Sequence, residues 1–124
     1  MRFKDKMKKK IAIIGSRCFV CYELLEMQVF GKIEISEISE IISGGEKGAD
    51  KLAEKFAEKY GIPIKLHLPD WEKYGNSAGM VRNRNIINDA DIVFAFWDGK
   101  SKGTKKSIEI AKKSGKELYV LNVI

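Results

Sequence analysis

The sequence predicts an α/β fold, a single-domain three-layer sandwich in which helices cover both faces of a five-stranded, mainly parallel sheet. Short segments rich in β-branched and aromatic residues alternate with amphipathic helical patterns along the chain. Such alternation produces parallel strands joined by right-handed helical crossovers. At 124 residues, the chain also has the usual length of one domain and can bury a core without disulfides or metal.

The five predicted strands are short segments of a buried sheet. They cover residues 10–15, 40–43, 64–68, 92–96 and 118–123. Glycine-bearing turns follow the first, second and fourth strands, and ligands of such sheets bind where the strand order reverses. We therefore expect those three strands to be neighbours, which favours the order 3-2-1-4-5 over 2-1-3-4-5.

Helical patterns fill the intervals between the strands. The clearest runs from residue 49 to 60, where apolar residues recur at spacings of three and four, and Gly61 and Pro63 end it. Similar patterns cover residues 77–88 and 104–114. The remaining interval, 22–36, predicts one helix and a loose connection.

The charge is unevenly distributed. The formal net charge is +6, and +5 of it lies in the first ten residues, so the other 114 residues are nearly neutral. We divide the chain into a basic, flexible arm over residues 1–9 and a domain over residues 10–124. No segment has the ~20 consecutive apolar residues of a membrane span or the core of a signal peptide, which predicts a cytoplasmic protein without a membrane partner.

The cysteines suggest neither a metal nor a redox site. Cys18 and Cys21 have the spacing of a redox pair or of half a zinc site, but zinc needs two more ligands and His67 is the only histidine. We expect both cysteines to be small half-buried apolar residues at the start of a helix. We predict no metal site and identify no cofactor.

The first glycine turn is Gly15-Ser16-Arg17. Glycine lets the backbone approach a ligand, and a helix that begins after such a turn offers free N–H groups to an anion. Ser16 adds a hydroxyl, and the planar donors of Arg17 match phosphate oxygens. The alternative is an ordinary strand-to-helix turn with a surface arginine.

The second turn contains Gly44 and Gly45 and leads into a helix with Asp50 in its first turn. A carboxylate there predicts stabilisation of the helix dipole. It equally suits a ribose hydroxyl acceptor or a group that orients Arg17, and the sequence leaves these alternatives open.

The third turn runs from Asp98 to Thr104. The hydroxyls of Ser101 and Thr104 and the N–H of Gly103 predict a phosphate cradle, with Thr104 also capping the helix. The glycine spacing differs from a Walker motif, which disfavours ATP hydrolysis of the P-loop kind.

Two further residues come from a helical pattern. Arg82 and Asn83 belong to the predicted helix over residues 77–88, although helix interiors disfavour asparagine, and such local conflicts often mark a site. Arg84 points about 100° away from Asn83 and is expected to be solvated. Trp71 and Tyr74 suit either the local core, which we favour, or the flanks of a base.

These motifs resemble the SLOG superfamily, the Rossmann-like group that includes the DNA-processing protein DprA and the LOG cytokinin-activating phosphoribohydrolases, and most of all its YspA-like branch. The resemblance implies a Rossmann-like fold, a site for a nucleotide or nucleotide derivative, and a homo-oligomer. The matching segments are 13–17, 42–45 with 48–50, 70–71, 78–79 with 82–83, and 96–99 with 101–104.

The resemblance leaves catalysis open. In the phosphoribohydrolases, a glutamate important for catalysis lies three residues after the threonine of the third turn, and here that residue is Ser107. Glu109 lies about 200° further round the helix and is a poor substitute. DprA-like proteins bind single-stranded DNA with a basic surface, whereas this domain is nearly neutral.

The sequence therefore predicts a module that senses or sequesters a nucleotide or nucleotide-derived ligand. The alternative is a hydrolase of the phosphoribohydrolase type with Asp50 or Asp98 as its catalytic carboxylate, and the weaker alternative is binding of single-stranded DNA. Two apolar helical faces leave room for a homodimer. The expected ligand-binding residues are Gly15, Ser16, Arg17, Gly44, Gly45, Asp50, Arg82, Asn83, Asp98, Ser101, Gly103 and Thr104.

Overall fold

The structure is a computed structural model that describes residues 8–123. Most of the arm predicted over residues 1–9 lies outside these residues. The strands are β1 Lys9–Gly15, β2 Ile38–Ser43, β3 Ile64–Leu66, β4 Ile92–Trp97 and β5 Glu117–Asn122. The helices are α1 Tyr22–Phe30, α2 Ala49–Tyr60, α3 Trp71–Tyr74, α4 Ala78–Asp89 and α5 Lys102–Lys113. Short 3-10 turns cover Ile35–Glu37 and Gly75–Ser77.

The five strands form one sheet in the predicted order 3-2-1-4-5, and all four pairings are parallel. The central strand is β1, in which Ile11 is opposite Ile41 of β2 on one side and Ile92 of β4 on the other. From β1 the chain adds β2 and β3 on one side of the sheet, and then adds β4 and β5 on the other side of β1. The strand order therefore reverses between β1 and β4, and a crevice opens beyond their carboxyl ends.

Alternate residues of the central strands enter two apolar layers. Ile11 and Ile13 pack with Phe56 and with residues of α1, whereas Ala12 and Ile14 pack with α4 and α5. Burial of both faces explains the nearly continuous apolar runs of β1 and β4. The fold is the predicted Rossmann-like α/β domain with helices on both sides of the sheet.

The ends of the elements show local departures from the sequence prediction. The interval after β1 contains α1 and a 3-10 turn. The one-turn helix α3, for which no helical pattern was predicted, is capped by Asp70, which accepts a hydrogen bond from the backbone N–H of Lys73. Gly61 ends α2 in the left-handed conformation, as expected. The edge strand β3 is exposed at every residue, because nothing covers its outer edge within residues 8–123. None of the helices in this range has both the length and the apolar character needed to cross a membrane.

Candidate functional site

A cleft of about 480 Å³ opens beyond the carboxyl ends of β1 and β4, where the strand order reverses. Its volume falls in the range of roughly 300–1,000 Å³ that is typical of small-molecule sites. Most of the residues predicted to bind ligand line its wall; the exceptions are Ser16, Gly44 and Gly45. The three turns that the sequence singled out therefore meet at one place.

The first turn holds the floor of the cleft together. Ser16 is buried, its N–H donates to the carbonyl of Phe96 at 2.9 Å, and its Oγ accepts a hydrogen bond from the N–H of Asp98 at 3.0 Å. A Cβ on Gly15 would lie 2.3 Å from the same carbonyl, so only glycine fits. Ser16 therefore joins two turns, whereas the Arg17 side chain is 75% exposed at the mouth of the cleft.

The second turn is held by Arg82 of α4. Its Nη1 donates to the carbonyl of Gly44 at 2.8 Å, and its Nε donates to Asn83 Oδ1 at the same distance. A Cβ on Gly44 would lie 2.8 Å from Arg82 Nη1 and 2.9 Å from Asp50 Oδ2. The side chains of Arg82 and Asp50 therefore pack against Gly44 and leave no space for a side chain at this position. The predicted pair of Arg82 and Asn83 acts as one unit, in which Asn83 orients the guanidinium.

Asp50 is a buried carboxyl group in this wall. Burial raises its pKa to about 6, although the N–H of Glu46, which donates to Asp50 Oδ2 at 3.1 Å, and the charge of Arg82 oppose the rise. The arginine that faces Asp50 is therefore Arg82. Arg17 instead pairs with Glu46, with 3.5 Å between Arg17 Nη2 and Glu46 Oε1.

Asp98 shapes the third turn. Its Oδ1 accepts hydrogen bonds from the N–H groups of Ser101 and Lys100, each at 2.8 Å. These backbone hydrogen bonds lower the pKa of Asp98 to about 2, so it stays ionised near neutral pH. The Asp98 carboxylate thus stabilises the turn that precedes α5.

The cap of α5 is Ser101, which corrects the expectation that Thr104 caps the helix. Ser101 Oγ accepts a hydrogen bond from the N–H of Thr104 at 3.4 Å and lies 3.1 Å from Thr104 Oγ1. Thr104 falls in the first turn, one turn too late to cap, with its side chain buried. The N–H groups of Lys102 and Gly103 have no hydrogen-bond partner among residues 8–123, and Gly103 lines the cleft.

Ser107 lies in the cleft wall and is buried, in the position where the phosphoribohydrolases carry a glutamate. Glu109 lines a separate depression between α4 and α5 and does not reach the cleft wall. The carboxylates that do line the cleft are Asp50, Asp98 and Glu46. Glu46 was not among the predicted site residues. The sequence feature that could have indicated it is its position between Gly45 and Gly48 in the second turn.

The cysteines and aromatic residues differ from expectation. Cys18 and Cys21 are both exposed, so the prediction that they are half-buried is wrong. In the segment between β1 and α1 the core position is taken by Phe19, which is 2% exposed and stacks on Phe96. Trp71 is 59% exposed and Tyr74 40% exposed. Neither lines the cleft, and neither belongs to the two core layers. Arg84 is exposed, as predicted.

Comparisons with known proteins agree with this architecture. The model of the family described as YAcAr: YspA, cpYpsA-related SLOG family matches residues 9–74, which include the first two glycine turns. Gene 61 protein of Mycobacterium phage D29 is 36% identical in an alignment of 81 residues that covers 60% of this chain and 65% of that protein. The chain thus spans about 65% of the length of this relative. No solved structure matches the chain.

Proposed function

The chain belongs to the YspA, cpYpsA-related SLOG family, and from this premise we propose that its cleft binds a nucleotide or nucleotide-derived ligand, which the protein senses or sequesters. Membership of this family is consistent with nucleotide-related binding. The observation that carries the proposal is the Arg82 guanidinium, which is fixed in the cleft wall before any ligand arrives.

Arg82 is suited to bind a phosphate group. Its side chain is only 10% exposed, and its Nη1 and Nε are engaged by the Gly44 carbonyl and by Asn83. Within the described residues Nη2 makes no hydrogen bond, only a 3.6 Å ion-pair contact with Glu46 Oε2, so it is the donor that a ligand can engage. Arginine donors match phosphate oxygens in a planar, two-point arrangement. A side chain that is already ordered loses little conformational entropy on binding, so the interaction contributes more to affinity.

Two other parts of the cleft support an anionic ligand with an organic moiety. The N–H groups of Lys102 and Gly103, which have no hydrogen-bond partner in the described part of the chain, lie at the positive end of the α5 dipole. Ile14 and Ile86 supply an apolar part of the same wall. A phosphate and a sugar or base need these two kinds of surface side by side.

A hydrolase of the phosphoribohydrolase type is the second candidate, and Asp50 is the observation that favours it. A carboxyl group with a pKa of about 6 in a cleft exchanges protons readily near neutral pH, as a general acid or base must. In that reaction the bond between the sugar carbon and the base breaks while water adds to the carbon; Asp50 takes a proton from the water and the departing base then receives it. Asp98 is the weaker choice because its low pKa and its two backbone hydrogen bonds keep it an ionised structural group.

The test is a thermal shift panel of nucleoside phosphates, cyclic nucleotides, dinucleotides and ADP-ribose, with each ligand followed by mass spectrometry. A ligand at 100 times its Kd stabilises the fold by about 2.7 kcal/mol. We expect Arg17→Ala to remove most of the shift, because Arg17 lies at the cleft mouth and makes only one long ion pair. The matched control is Arg84→Ala, which removes an exposed arginine of α4 outside the cleft.

The outcomes separate the two candidate functions. An intact ligand with a shift that is lost in Arg17→Ala supports a binding module. A ligand that has lost its base supports the hydrolase. If no compound in the panel stabilises the wild-type protein, both candidates are wrong.

A further inference from the structure

We infer that Glu46 is an internal counter-anion: its carboxylate holds the place between Arg17 and Arg82 that an anionic group of the ligand takes on binding. The inference rests on the proposed function, since it concerns the same cleft. It makes Glu46 a residue that sets ligand affinity by competition.

The geometry matches that of a bound phosphate group. Glu46 Oε1 lies 3.5 Å from Arg17 Nη2, and Glu46 Oε2 lies 3.6 Å from Arg82 Nη2. Each carboxylate oxygen therefore faces a different arginine, as two oxygens of a phosphate monoester or pyrophosphate would. The carboxylate also faces into the cleft that the two arginines line.

These contacts are long enough to be replaced. Charge-assisted hydrogen bonds between nitrogen and a carboxylate oxygen measure about 2.7–2.9 Å, and neither contact of Glu46 meets that length. The Glu46 side chain is 34% exposed and accepts no hydrogen bond from the residues that the structure describes. It is held by charge alone, so a phosphate that forms true hydrogen bonds to both arginines displaces it at little cost.

The backbone is built so that only the side chain has to move. The N–H of Glu46 donates to Asp50 Oδ2 at 3.1 Å, which anchors the turn independently of the side chain. Gly45 and Gly48 flank this segment with φ of 74° and 72°. A Cβ on Gly48 would lie 2.3 Å from the carbonyl oxygen of Ser16, so the turn is fixed at that end. Rotation of Glu46 about its side-chain bonds is then sufficient to open the site.

The inference specifies the chemistry of the ligand. A group that replaces Glu46 must carry negative charge and present at least two free oxygens to two guanidinium groups. A terminal phosphate or a pyrophosphate meets this requirement, whereas an uncharged nucleoside does not. The ligand also meets repulsion from Asp50 and Asp98 in the same cleft, so neutralising Glu46 removes both a competitor and a like charge.

The test is isothermal titration calorimetry of pyrophosphate, ADP and adenosine into wild-type protein and Glu46→Gln. We expect Glu46→Gln to bind pyrophosphate and ADP about five- to tenfold more tightly than wild type, with adenosine unaffected. Glu58→Gln is the matched control, because it removes the same charge from an exposed position on α2 outside the cleft. Glu46→Asp, which is too short to reach both arginines, should give an intermediate affinity.

A double-variant cycle distinguishes competition from a general change of charge. In the Arg17→Ala background, Glu46→Gln should change affinity by less than half as much on a logarithmic scale, because Glu46 then competes for one arginine. If the ligands bind wild type and Glu46→Gln equally, or bind the variant more weakly, the inference is wrong and the proposed function stands. If neither protein binds pyrophosphate or ADP, the inference is wrong, and the proposed function then stands or falls with the other compounds of the thermal shift panel.

Discussion

The cleft and the cluster around Asp89 use charge in opposite ways. In the cluster, at the end of α4, Asp89 has two lysines and a histidine close by: Lys65 Nζ at 2.9 Å, His67 Nε2 at 3.0 Å and Lys10 Nζ at 3.3 Å. In the cleft, Glu46 lies 3.5 Å or more from each of its arginines. Closely paired charges hold the sheet and α4 together, whereas loosely paired charges are free to bind something else.

The carboxyl groups of the two regions show the same contrast. Burial raises the pKa of Asp50 in the cleft to about 6. Burial also opposes ionisation of Asp89, but hydrogen bonds from His67, Lys65 and Lys10 outweigh it and hold the pKa of Asp89 well below its ordinary value. The fold therefore stabilises the charged form of Asp89 and disfavours the charged form of Asp50.

The largest effect is expected for Arg82→Ala, which removes the charged residue that both braces Gly44 and faces Asp50. A hydrogen bond from a charged group, such as that of Arg82 to the buried Gly44 carbonyl, contributes roughly 1.5–3 kcal/mol. We expect a loss of that size in the free energy of unfolding, measured in urea, together with loss of ligand-induced stabilisation. The control Arg84→Ala should leave both unchanged; an unaffected Arg82→Ala protein would contradict the assigned role of Arg82.

The next effect is a pH dependence that Asp50→Asn should remove. Because the folded-state pKa of Asp50 is raised, its stabilising contribution is present below its ordinary pKa of 3.8 and is lost as pH rises through about 6. We expect the free energy of unfolding of Asp50→Asn, relative to wild type, to rise by about 2 kcal/mol between pH 4 and pH 7. Urea titrations across this range measure it, and a constant difference would contradict the burial of this charge.

Asp89→Asn should have a smaller effect with the opposite pH dependence. Hydrogen bonds to charged groups contribute about 1.5–3 kcal/mol, and partial exposure of the lysines lowers that figure, so we expect a loss of about 1–2 kcal/mol at pH 7. Because the folded-state pKa of Asp89 is lowered, the loss should fade as pH drops below 3.8.

Ligand binding should separate this variant from those of the cleft. The affinity of Asp89→Asn for nucleotides should equal that of wild type, since Asp89 is not part of the cleft wall. Asp91→Asn is the matched control, because this exposed aspartate accepts a single hydrogen bond from the N–H of Lys10. An equal loss of stability in both variants would show that the cluster has no special role.

The smallest effect is expected for Gly103→Ala. A Cβ there meets no atom within 4 Å, and alanine is favoured over glycine in a helix, so stability should rise by up to about 1 kcal/mol. Nucleotide titration of the same variant then tests the approach of the ligand to the start of α5. Weaker binding without loss of stability would place an anionic group against Gly103, and unchanged binding would place that group at the arginines alone.

The sequence predicted the strand order because three glycine turns had to meet, and the order 3-2-1-4-5 brings them together. It also singled out Arg82, since an asparagine next to it inside a helix conflicts with local propensity, and the structure places Arg82 in the cleft wall. Both predictions rest on patterns that are local along the chain.

The features that the sequence did not predict depend on contacts between distant segments. Glu46 gains its significance from Arg17 of the first turn and Arg82 of α4, which cannot be placed beside it by spacing alone. The exposure of Cys18 and Cys21 depends on the path of the segment before α1, where no periodicity exists. The choice of Ser101 over Thr104 as cap depends on where α5 begins, and helix boundaries shift by one or two residues without changing the pattern.

The hydrogen bond between Ser16 and Asp98 joins residues 82 positions apart in the chain. The cleft therefore needs both β1 and the turn after β4, and a fragment that ends before β4 lacks part of the cleft wall. We expect a ligand in the cleft to oppose separation of these two parts of the sheet rather than fluctuations of one loop. A bound ligand should accordingly slow hydrogen exchange of the most protected amides in β1 and β4 by the same factor, as expected when exchange requires unfolding of the whole cooperative unit.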